Sequence, residues 1–354
     1  MNKLKSGYTT GTCAAAAVAA AAHYLYTREE KDVVQITLPT QEKRYIDVYP
    51  VSKGDGEACY AVIKDSGDDP DITNGCMVQA NVQLLNEDGA VGFCAGVGVG
   101  MVTLDGLKIS AGEAAINPVP RQMMEKEFRS LYKKRAAMIT VSIPNGEQLA
   151  KRTMNARLGV VGGLSILGTT GIVRPMSVEA LVDTIKTEMD VRMAQKKDLV
   201  LTFGAMGEEA LIRLGYAPEQ MVQISNYVGE ALDYAAEQGI SNVILAGHAG
   251  KMIKVAGGIF QTHSKWADAR MEIVCAHAAL VGVEDDKMKE IFACATISAA
   301  DHILRESPLR DRVWQQIADA VPQKIAQRWA IRTKAIVLDE YGEICAISRE
   351  EKNS

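Results

Sequence analysis

The sequence predicts two folding units, an α+β unit followed by an α/β unit with a parallel sheet. The chain has 354 residues, more than one hydrophobic core usually organises. The first half is rich in Gly, Thr and short alternating strands, whereas the second half contains nearly all-apolar strands that are each followed by Gly and a helix. Such strands are buried on both faces, as in parallel sheets. We place the boundary at 195–197, which predicts domains 1–195 and 196–354.

In the first domain, helix formers and alternating apolar residues predict three helices and five strands. The alanine-rich segment 13–26 should be helical, and Thr12 can cap its first turn. The other predicted helices are 121–135 and 177–193. The predicted strands are 33–38, 45–49, 58–64, 77–84 and 137–143.

In the second domain, the segments 198–203 and 242–246 are the short apolar strands that predict a parallel, doubly wound sheet. A helix over 310–328 follows. A hairpin of 334–338 and 343–347 then ends the predicted domain.

Composition and charge exclude several classes of protein. The content of 47% apolar and 23% charged residues is that of an ordinary globular protein, with no apolar run long enough to span a bilayer. A net charge of −5 argues against nucleic-acid binding. Seven cysteines without Cys-x-x-Cys spacing fit neither a disulfide framework nor a zinc ribbon. We therefore expect a cytoplasmic protein without membrane or nucleic-acid partners, and leave a homo-oligomer open.

An N-terminal secretory signal is the alternative to a cytoplasmic location. Lys3 and Lys5 precede the alanine run 14–22, which has the small residues of a cleavage site. The run is almost entirely Ala, however, and the polar stretch 7–12 separates it from the lysines. Both features favour the cytoplasmic interpretation.

Hydroxyl groups and a glycine lie just before the first predicted helix. Thr9, Thr10, Gly11 and Thr12 are placed where free backbone N–H groups and the helix dipole favour an anion such as a carboxylate. The alternative is that these residues simply cap an alanine-rich helix packed against a sheet. The sequence leaves both interpretations open.

Two glycine-rich segments, 96–100 and 159–171, have little side-chain bulk, which lets a ligand or another backbone come close. The second segment superficially resembles a phosphate loop but lacks the Gly-Lys-Ser/Thr ending. We therefore predict that it exposes backbone amides to a carboxylated ligand. A tight turn between a strand and a helix is the alternative.

Glycines also follow the two apolar strands of the second domain, where doubly wound sheets bind ligands. One group is Gly204, Gly207 and Glu208, and the other is Gly247, Gly250 and Lys251. The second group lacks the hydroxyl that a nucleotide loop uses for magnesium. No His-x-x-x-His or cysteine-rich spacing unites the histidines, so we predict no protein-bound metal.

The motifs of the chain, and their order along the sequence, resemble those of the CbiD family, the cobalt-precorrin-5B carbon-1 methyltransferases of oxygen-independent cobalamin (vitamin B12) biosynthesis. The motifs that carry this resemblance are 7–17, 112–121, 142–147, 155–163, 166–176 and 247–254, together with Thr262 and His263. The part beyond about residue 305 matches only loosely.

The resemblance implies a first domain similar to the second domain of ribosomal protein S5 and a Rossmann-like second domain. It also implies S-adenosyl-L-methionine as the methyl donor, conversion of cobalt-precorrin-5B to cobalt-precorrin-6A, and cobalt that arrives only as part of the substrate.

Methyl transfer from a sulfonium is an in-line displacement with a neutral thioether as the leaving group, so placement of the reactants matters most. The candidate substrate-binding residues are Thr9, Thr10, Gly11, Thr12, Asn117, Arg121, Asn145, Thr169, Thr170 and Arg174. The candidate donor-binding residues are Gly204, Gly207, Glu208, Gly247, Gly250 and Lys251. Arginine and lysine would meet the carboxylates of the substrate. A structural ion pair is the alternative for each arginine.

If a proton leaves after methylation, His248 or His263 is the candidate acceptor, since histidine titrates near neutral pH. Two other functions stay open. One is a small-metabolite kinase with an S5-like fold, and the other is a corrinoid-binding protein without catalysis.

Overall fold

The computed structural model describes residues 4–195 and 199–349. The chain divides between Val178 and Glu179 into two compact units. The sequence pattern predicts the boundary at 195–197, of which residues 196 and 197 lie outside the described residues. The helix Val178–Ala194 lies between the two positions and belongs to the second unit. That helix contributes Ile185 and Met189 to the core of the second unit.

The first unit is built from short strands around a central five-stranded sheet. Its strands are β1 (Gly7–Tyr8), β2 (Val33–Thr37), β3 (Lys43–Asp47), β4 (Tyr49–Lys53), β5 (Glu57–Ile63), β6 (Met77–Asp88), β7 (Val91–Ala95), β8 (Met101–Val102), β9 (Arg135–Ser142), β10 (Val160–Val161) and β11 (Ile172–Val173). Its helices are α1 (Thr10–Thr27), α2 (Pro118–Leu131) and α3 (Gly146–Ala150), followed by a 3₁₀ turn at Asn155–Leu158.

The central sheet has the strand order β4-β5-β6-β9-β7. Its strands pair antiparallel except for β7, which runs parallel to β9. The remaining strands form three two-stranded pairs, β2 with β3, β1 with β11 and β8 with β10. The five predicted strands are all present, with ends displaced by a few residues.

Helix α1 packs against β5, β6 and α2 and forms the middle of the first core. Alanine favours the helix and lets it lie close to the sheet, so that 14–17 are completely buried. The helix begins three residues before the predicted start, because Thr9 rather than Thr12 caps it. The Thr12 N–H donates to Thr9 Oγ1 at 3.2 Å. The helix ends at Thr27, and the next residue, Arg28, caps it in the left-handed region, with φ 65°.

The two glycine-rich segments of the first unit pack against each other. The Gly100 N–H donates to Leu164 O at 2.9 Å, and the Leu164 N–H donates to Gly98 O at 2.9 Å. A Cβ on Gly163 would lie 2.3 Å from the carbonyl carbon of Gly98. The sequence allows either a ligand or another backbone to lie close to these segments. The structure shows that each segment lies against the backbone of the other.

In the first part of the second unit strands and helices alternate, and five consecutive helices then precede its last two strands. It contains α4 (Val178–Ala194), β12 (Leu199–Thr202), α5 (Ala205–Arg213), β13 (Met221–Gln223), α6 (Val228–Glu237), β14 (Asn242–His248), α7 (Ala249–Ala256), α8 (Arg270–Val281), α9 (Asp285–Phe292), α10 (Ile297–Arg305), α11 (Arg310–Ala326), β15 (Arg332–Leu338) and β16 (Ile344–Ile347).

The sheet of the second unit has the order β13-β12-β14-β15-β16. The first four strands are parallel, and β16 returns antiparallel to β15 as the predicted hairpin. Alternate residues face opposite cores: Leu201 packs with α6 and α7, whereas Val200 packs with Ala210 and Leu211 of α5. The parallel sheet with helices on both faces agrees with the prediction from the apolar strands.

The close approach of the glycine segments can be tested with Gly163→Ala. We expect this variant to lower the stability of the first unit by about 2 kcal/mol or more, because the new methyl group overlaps the Gly98 backbone. The readout is the calorimetric unfolding temperature. Tryptophan fluorescence reports separately on the second unit, since all three tryptophans lie there.

The matched control for Gly163→Ala is Gly89→Ala, where the new Cβ would meet only the Ala136 methyl, at an ordinary 3.4 Å. We expect a change of about 0.5 kcal/mol or less at this position. Equal unfolding temperatures for the two variants would contradict the packing role of Gly163.

Candidate functional site

The carboxyl edge of the second sheet contains a point at which the direction of the chain connections reverses. Strand β12 leads through α5 to β13 on one side, whereas β14 leads through α7 towards β15 on the other side. Since β12 and β14 are adjacent, their following helices start next to each other and lie on opposite faces. In doubly wound sheets, ligands bind in the crevice at such a point.

The glycines at this edge serve two different purposes. A Cβ on Gly247 would lie 2.2 Å from the Phe203 ring, so this glycine is needed for packing. Gly207 brings α5 close to the sheet, with a Cβ position 3.3 Å from Ala246 O. At Gly204 nothing among the described residues lies within 4 Å of a Cβ position, and at Gly250 the nearest neighbour is the His248 ring. Gly204 is therefore the position that leaves space beside the sheet edge.

Lys251 is a half-buried cation at the same edge. Its Nζ donates to Ser225 O at 3.2 Å and lies 5.2 Å from the centre of the Phe203 ring. No carboxylate among the described residues lies within ion-pair distance of it. Burial, with a smaller effect of Lys254, lowers the pKa of Lys251. An anionic ligand group would supply the counter-charge that the protein itself does not.

Glu208, the candidate carboxylate of this edge, has a protein partner. The Gln223 side chain donates to Glu208 Oε2 at 2.8 Å, which joins the first turn of α5 to the end of β13. The carboxylate is therefore oriented, and a ligand hydroxyl would share it with Gln223.

His248 caps α7, because its Nδ1 accepts a hydrogen bond from the Gly250 N–H at 3.1 Å. Burial lowers the pKa of His248, against the opposite effect of Glu340 and Asp339, so the neutral ring is favoured. With Nδ1 as an acceptor, the proton of the neutral ring lies on Nε2. His248 can therefore accept another proton only by giving up its capping hydrogen bond.

His263 repeats this arrangement on an exposed segment. Its Nδ1 accepts from the Lys265 N–H at 3.0 Å. Both candidate proton acceptors thus present Nε2–H as a donor in their neutral form.

A small cavity beside His248 was not predicted. It lies where β14 and β15 end against α10 and α11, and its polar lining includes His248, Ser298, Asp301, Arg305, Asp339 and Glu340. Asp301 accepts hydrogen bonds from Trp314 Nε1 at 2.6 Å and from Arg310 Nε at 2.8 Å. Burial alone would raise the pKa of Asp301, but these hydrogen bonds hold it below its usual value. The charges in this lining are therefore mostly satisfied within the protein.

In the first unit, the start of α1 is occupied by the chain itself. The Gly11 N–H donates to Leu167 O at 3.0 Å, Thr12 Oγ1 donates to Gly171 O at 2.7 Å, and Thr10 Oγ1 accepts from the Leu167 N–H at 3.0 Å. Thr10 and Thr12 are buried, as is Thr9. The geometry favours the capping interpretation, in which these groups fix the segment 165–171.

The segment fixed in this way carries exposed polar residues. Thr169 and Thr170 are exposed, and Arg174 follows β11 on the surface with no carboxylate partner among the described residues. Asn117 and Asn145 precede α2 and α3 without capping them through their side chains. Arg174 is therefore the free cation among the predicted substrate-binding residues of the first unit.

Arg121 forms a structural ion pair, which is the alternative to binding a substrate carboxylate. Its Nε donates to Ile116 O at 2.7 Å, and its Nη2 donates to Glu113 Oε2 at 2.8 Å and to Ala114 O at 3.2 Å. These bonds fix the turn before α2, so a ligand would have to compete with the protein for this guanidinium group.

Two further observations concern the described residues only. No cluster of three or more His, Cys, Asp or Glu side chains is arranged to hold a metal ion in 4–195 and 199–349. Over the same ranges, no helix has both the length and the apolar character needed to cross a bilayer.

Comparison with known proteins identifies the family. The CbiD family model matches residues 1–175, and the CbiD C-terminal domain model matches 261–349. A cobalt-precorrin-5B C(1)-methyltransferase of Desulfitobacterium hafniense is 42% identical, over 92% of this chain and 83% of that protein. The protein of that name from Methanocaldococcus jannaschii is 40% identical, over 97% and 96%. The chain belongs to the CbiD family.

A solved structure described as cobalamin biosynthesis protein (cbiD) from Archaeoglobus fulgidus is 29% identical, covering 76% of this chain and 84% of that one, with a TM-score of 0.40. The match to the CbiD family model ends at residue 175, close to the end of the first unit at Val178. Residues 176–260 lie outside both family models, and they include Gly204 and Lys251. The roles of these two residues therefore rest on the geometry of the sheet edge.

The different settings of the two arginines predict different effects of their removal. Arg121→Ala should destabilise the first unit by about 1–3 kcal/mol, because it removes the donor of the Ile116 carbonyl and of the Glu113 carboxylate, while Ala114 O keeps its bond from the Ile116 N–H. Arg174→Ala should change stability by about 0.5 kcal/mol or less, since it breaks no described bond. Calorimetric unfolding temperatures measure both. A larger loss for Arg174→Ala than for Arg121→Ala would contradict these assignments.

Proposed function

We propose that this chain transfers a methyl group from S-adenosyl-L-methionine to carbon 1 of cobalt-precorrin-5B, giving cobalt-precorrin-6A in cobalamin biosynthesis. The observation that carries the proposal is the set of family members named cobalt-precorrin-5B C(1)-methyltransferase, which are about 40% identical over most of this chain. As a C-methyltransferase of this pathway it would work in the cytoplasm.

The two domains would divide the work. The first unit, which the sequence pattern extends to 1–195, is proposed to have an S5-like fold and to bind the substrate. The second domain, 196–354, is proposed to be Rossmann-like and to bind the donor. The parallel order β13-β12-β14-β15 and the reversal between β12 and β14 support the second assignment, because such edges bind small molecules with a nucleoside part.

The proposed donor site is the edge formed by Gly204, Gly207, Glu208, Gly247, Gly250 and Lys251. The donor carries a carboxylate, for which the unpaired Lys251 ammonium is a counter-charge. It also carries ribose hydroxyls, which suit a carboxylate such as Glu208. The open space beside Gly204 would let the ligand approach the first turn of α5. The residues at this sheet edge therefore fit S-adenosyl-L-methionine.

The bound donor would supply an electrophilic methyl group with a neutral leaving group, so the protein has to orient the reactants and exclude water. Arg174, Thr169 and Thr170 are proposed to meet the substrate carboxylates, because they are exposed and Arg174 lacks a carboxylate partner. Asn117 and Asn145 are further candidates. Arg121 and the residues 9–12 would act indirectly by fixing the segments that carry these groups.

A proton-accepting role for His248 or His263 stays a prediction. In the neutral state each ring would instead donate from Nε2, which suits a hydrogen bond to a substrate carboxylate or carbonyl. Cobalt would enter with the substrate.

The proposal is tested by incubating the purified chain anaerobically with cobalt-precorrin-5B and S-adenosyl-L-methionine carrying a labelled methyl group. We expect the corrinoid to gain the mass of one labelled methyl group in the absence of ATP, together with one equivalent of S-adenosylhomocysteine. A kinase would require ATP and add a phosphoryl group, and a binding protein would return the substrate unchanged. Either of these outcomes would contradict the proposal.

A further inference from the structure

The segment 261–269, the later part of the connection between α7 and α8, is bonded to a buried lysine of α7. Lys254 is only 3% exposed, and its Nζ donates to Thr262 O at 3.0 Å and to Ala267 O at 2.9 Å. Asp268 Oδ1 lies 4.0 Å from the same nitrogen and forms its main ion pair with Arg270, at 2.7 Å. Burial lowers the pKa of Lys254, which reflects the free-energy cost of placing an ammonium group there.

The start of the segment is joined to the loop that follows β13. The Thr262 N–H donates to Asn226 O at 3.1 Å, and Thr262 Oγ1 donates to Asn226 Oδ1 at 3.0 Å. The neighbouring Ser225 carbonyl is the group that accepts from Lys251. The segment therefore lies at the same sheet edge as the proposed donor site.

This well-bonded segment presents an exposed indole. The backbone N–H of Trp266 donates to His263 O at 3.0 Å, which closes the turn, while the Trp266 side chain is 71% exposed. Lys265 Nζ lies 5.7 Å from the centre of its ring. Trp314, by contrast, is 1% exposed, and Trp329 packs edge-on against Phe260. Trp266 is therefore the tryptophan whose ring is open to a ligand, and the bonded turn fixes the backbone that carries it.

We propose that Trp266 and Lys265 form a binding surface for the corrinoid substrate, with Lys254 as the positioning residue. This inference rests on the proposed function. A conjugated macrocycle offers a flat apolar face that can stack on the indole face away from Lys265, and its acetate and propionate arms match the Lys265 ammonium, which lies over the other face. Asp268 does not oppose these arms, because Arg270 and Lys254 neutralise it.

The binding test measures the affinity of the full chain for cobalt-precorrin-5B by equilibrium dialysis, with S-adenosylhomocysteine present to prevent turnover. We expect Trp266→Ala to weaken substrate binding about 5- to 100-fold, in the range of an aromatic stacking contact, and Trp266→Phe to weaken it less. Affinity for S-adenosylhomocysteine alone should stay within about twofold. The matched control is Leu280→Ala on α8, which removes another exposed apolar side chain of the same unit and should leave both affinities unchanged.

Three results would overturn the proposal. The first is substrate affinity within about twofold of the parent in Trp266→Ala. The second is an equal loss of S-adenosylhomocysteine affinity, which would place the donor rather than the corrinoid on this surface. The third is a change in oligomeric state by sedimentation with unchanged substrate affinity, which would make Trp266 a contact between copies of the chain.

Failure of the proposed function would look different. A parent chain that binds the corrinoid but transfers no methyl group would contradict the function and leave the surface intact. If Trp266→Ala methylates the corrinoid at the same rate and with the same KM as the parent chain, the binding surface is contradicted and the function is not.

The positioning role is tested with Lys254→Met alone and combined with Trp266→Ala. If Lys254 acts by holding the Trp266 turn, its removal should raise KM for the corrinoid while kcat changes little, and the double variant should be no weaker than Trp266→Ala. Losses that multiply in the double variant would show that Lys254 acts independently of Trp266. Unfolding temperatures check that each variant folds, and if Lys254→Met does not, the Trp266→Ala result decides the proposal.

Discussion

The reversal of chain direction between β12 and β14 is the constraint on which the proposed donor site depends. Because the two strands are neighbours and their helices leave to opposite faces, two helix starts meet at one sheet edge. Lys251 lies there with a carbonyl and an aromatic ring as neighbours but no carboxylate among the described residues. A half-buried cation in this setting favours an anionic ligand, which is what a carboxylated methyl donor provides.

The first unit obtains its shape from close contacts between backbones. Glycines at 98 and 163 let two segments pair directly, and the threonines at the start of α1 fix the later part of the second segment, 165–171. These contacts use most of the polar groups that the sequence offers for binding and leave Thr169, Thr170 and Arg174 at the surface. The groups that shape this unit are therefore distinct from those free to meet a ligand.

Sequence patterns predicted the features that depend on neighbouring residues. The alanine-rich helix and the apolar strands β12 and β14 follow from local propensity and period. Strand β7 was not predicted, because its glycine obscures the pattern and its parallel partner β9 lies some 45 residues away. The hydrogen bonds of Arg121 and Lys254 go to carbonyl groups in turns, and the hydrophobic period of the sequence does not predict the geometry of those turns. The sequence motifs pointed to the sheet edge at Gly204 and Lys251, but only the strand order explains why these residues meet.

Lys251, which has no carboxylate partner among the described residues, is the group at the β12–β14 edge that we propose to bind the methyl donor. Calorimetric titration of S-adenosylhomocysteine into the Lys251→Met variant tests this proposal most directly, with Lys289→Met, a paired surface lysine of α9, as the control. We expect about 10- to 100-fold weaker binding for Lys251→Met, because a charge-assisted hydrogen bond is lost, and unchanged binding for Lys289→Met. Equal affinities for Lys251→Met and the parent chain would contradict the proposal.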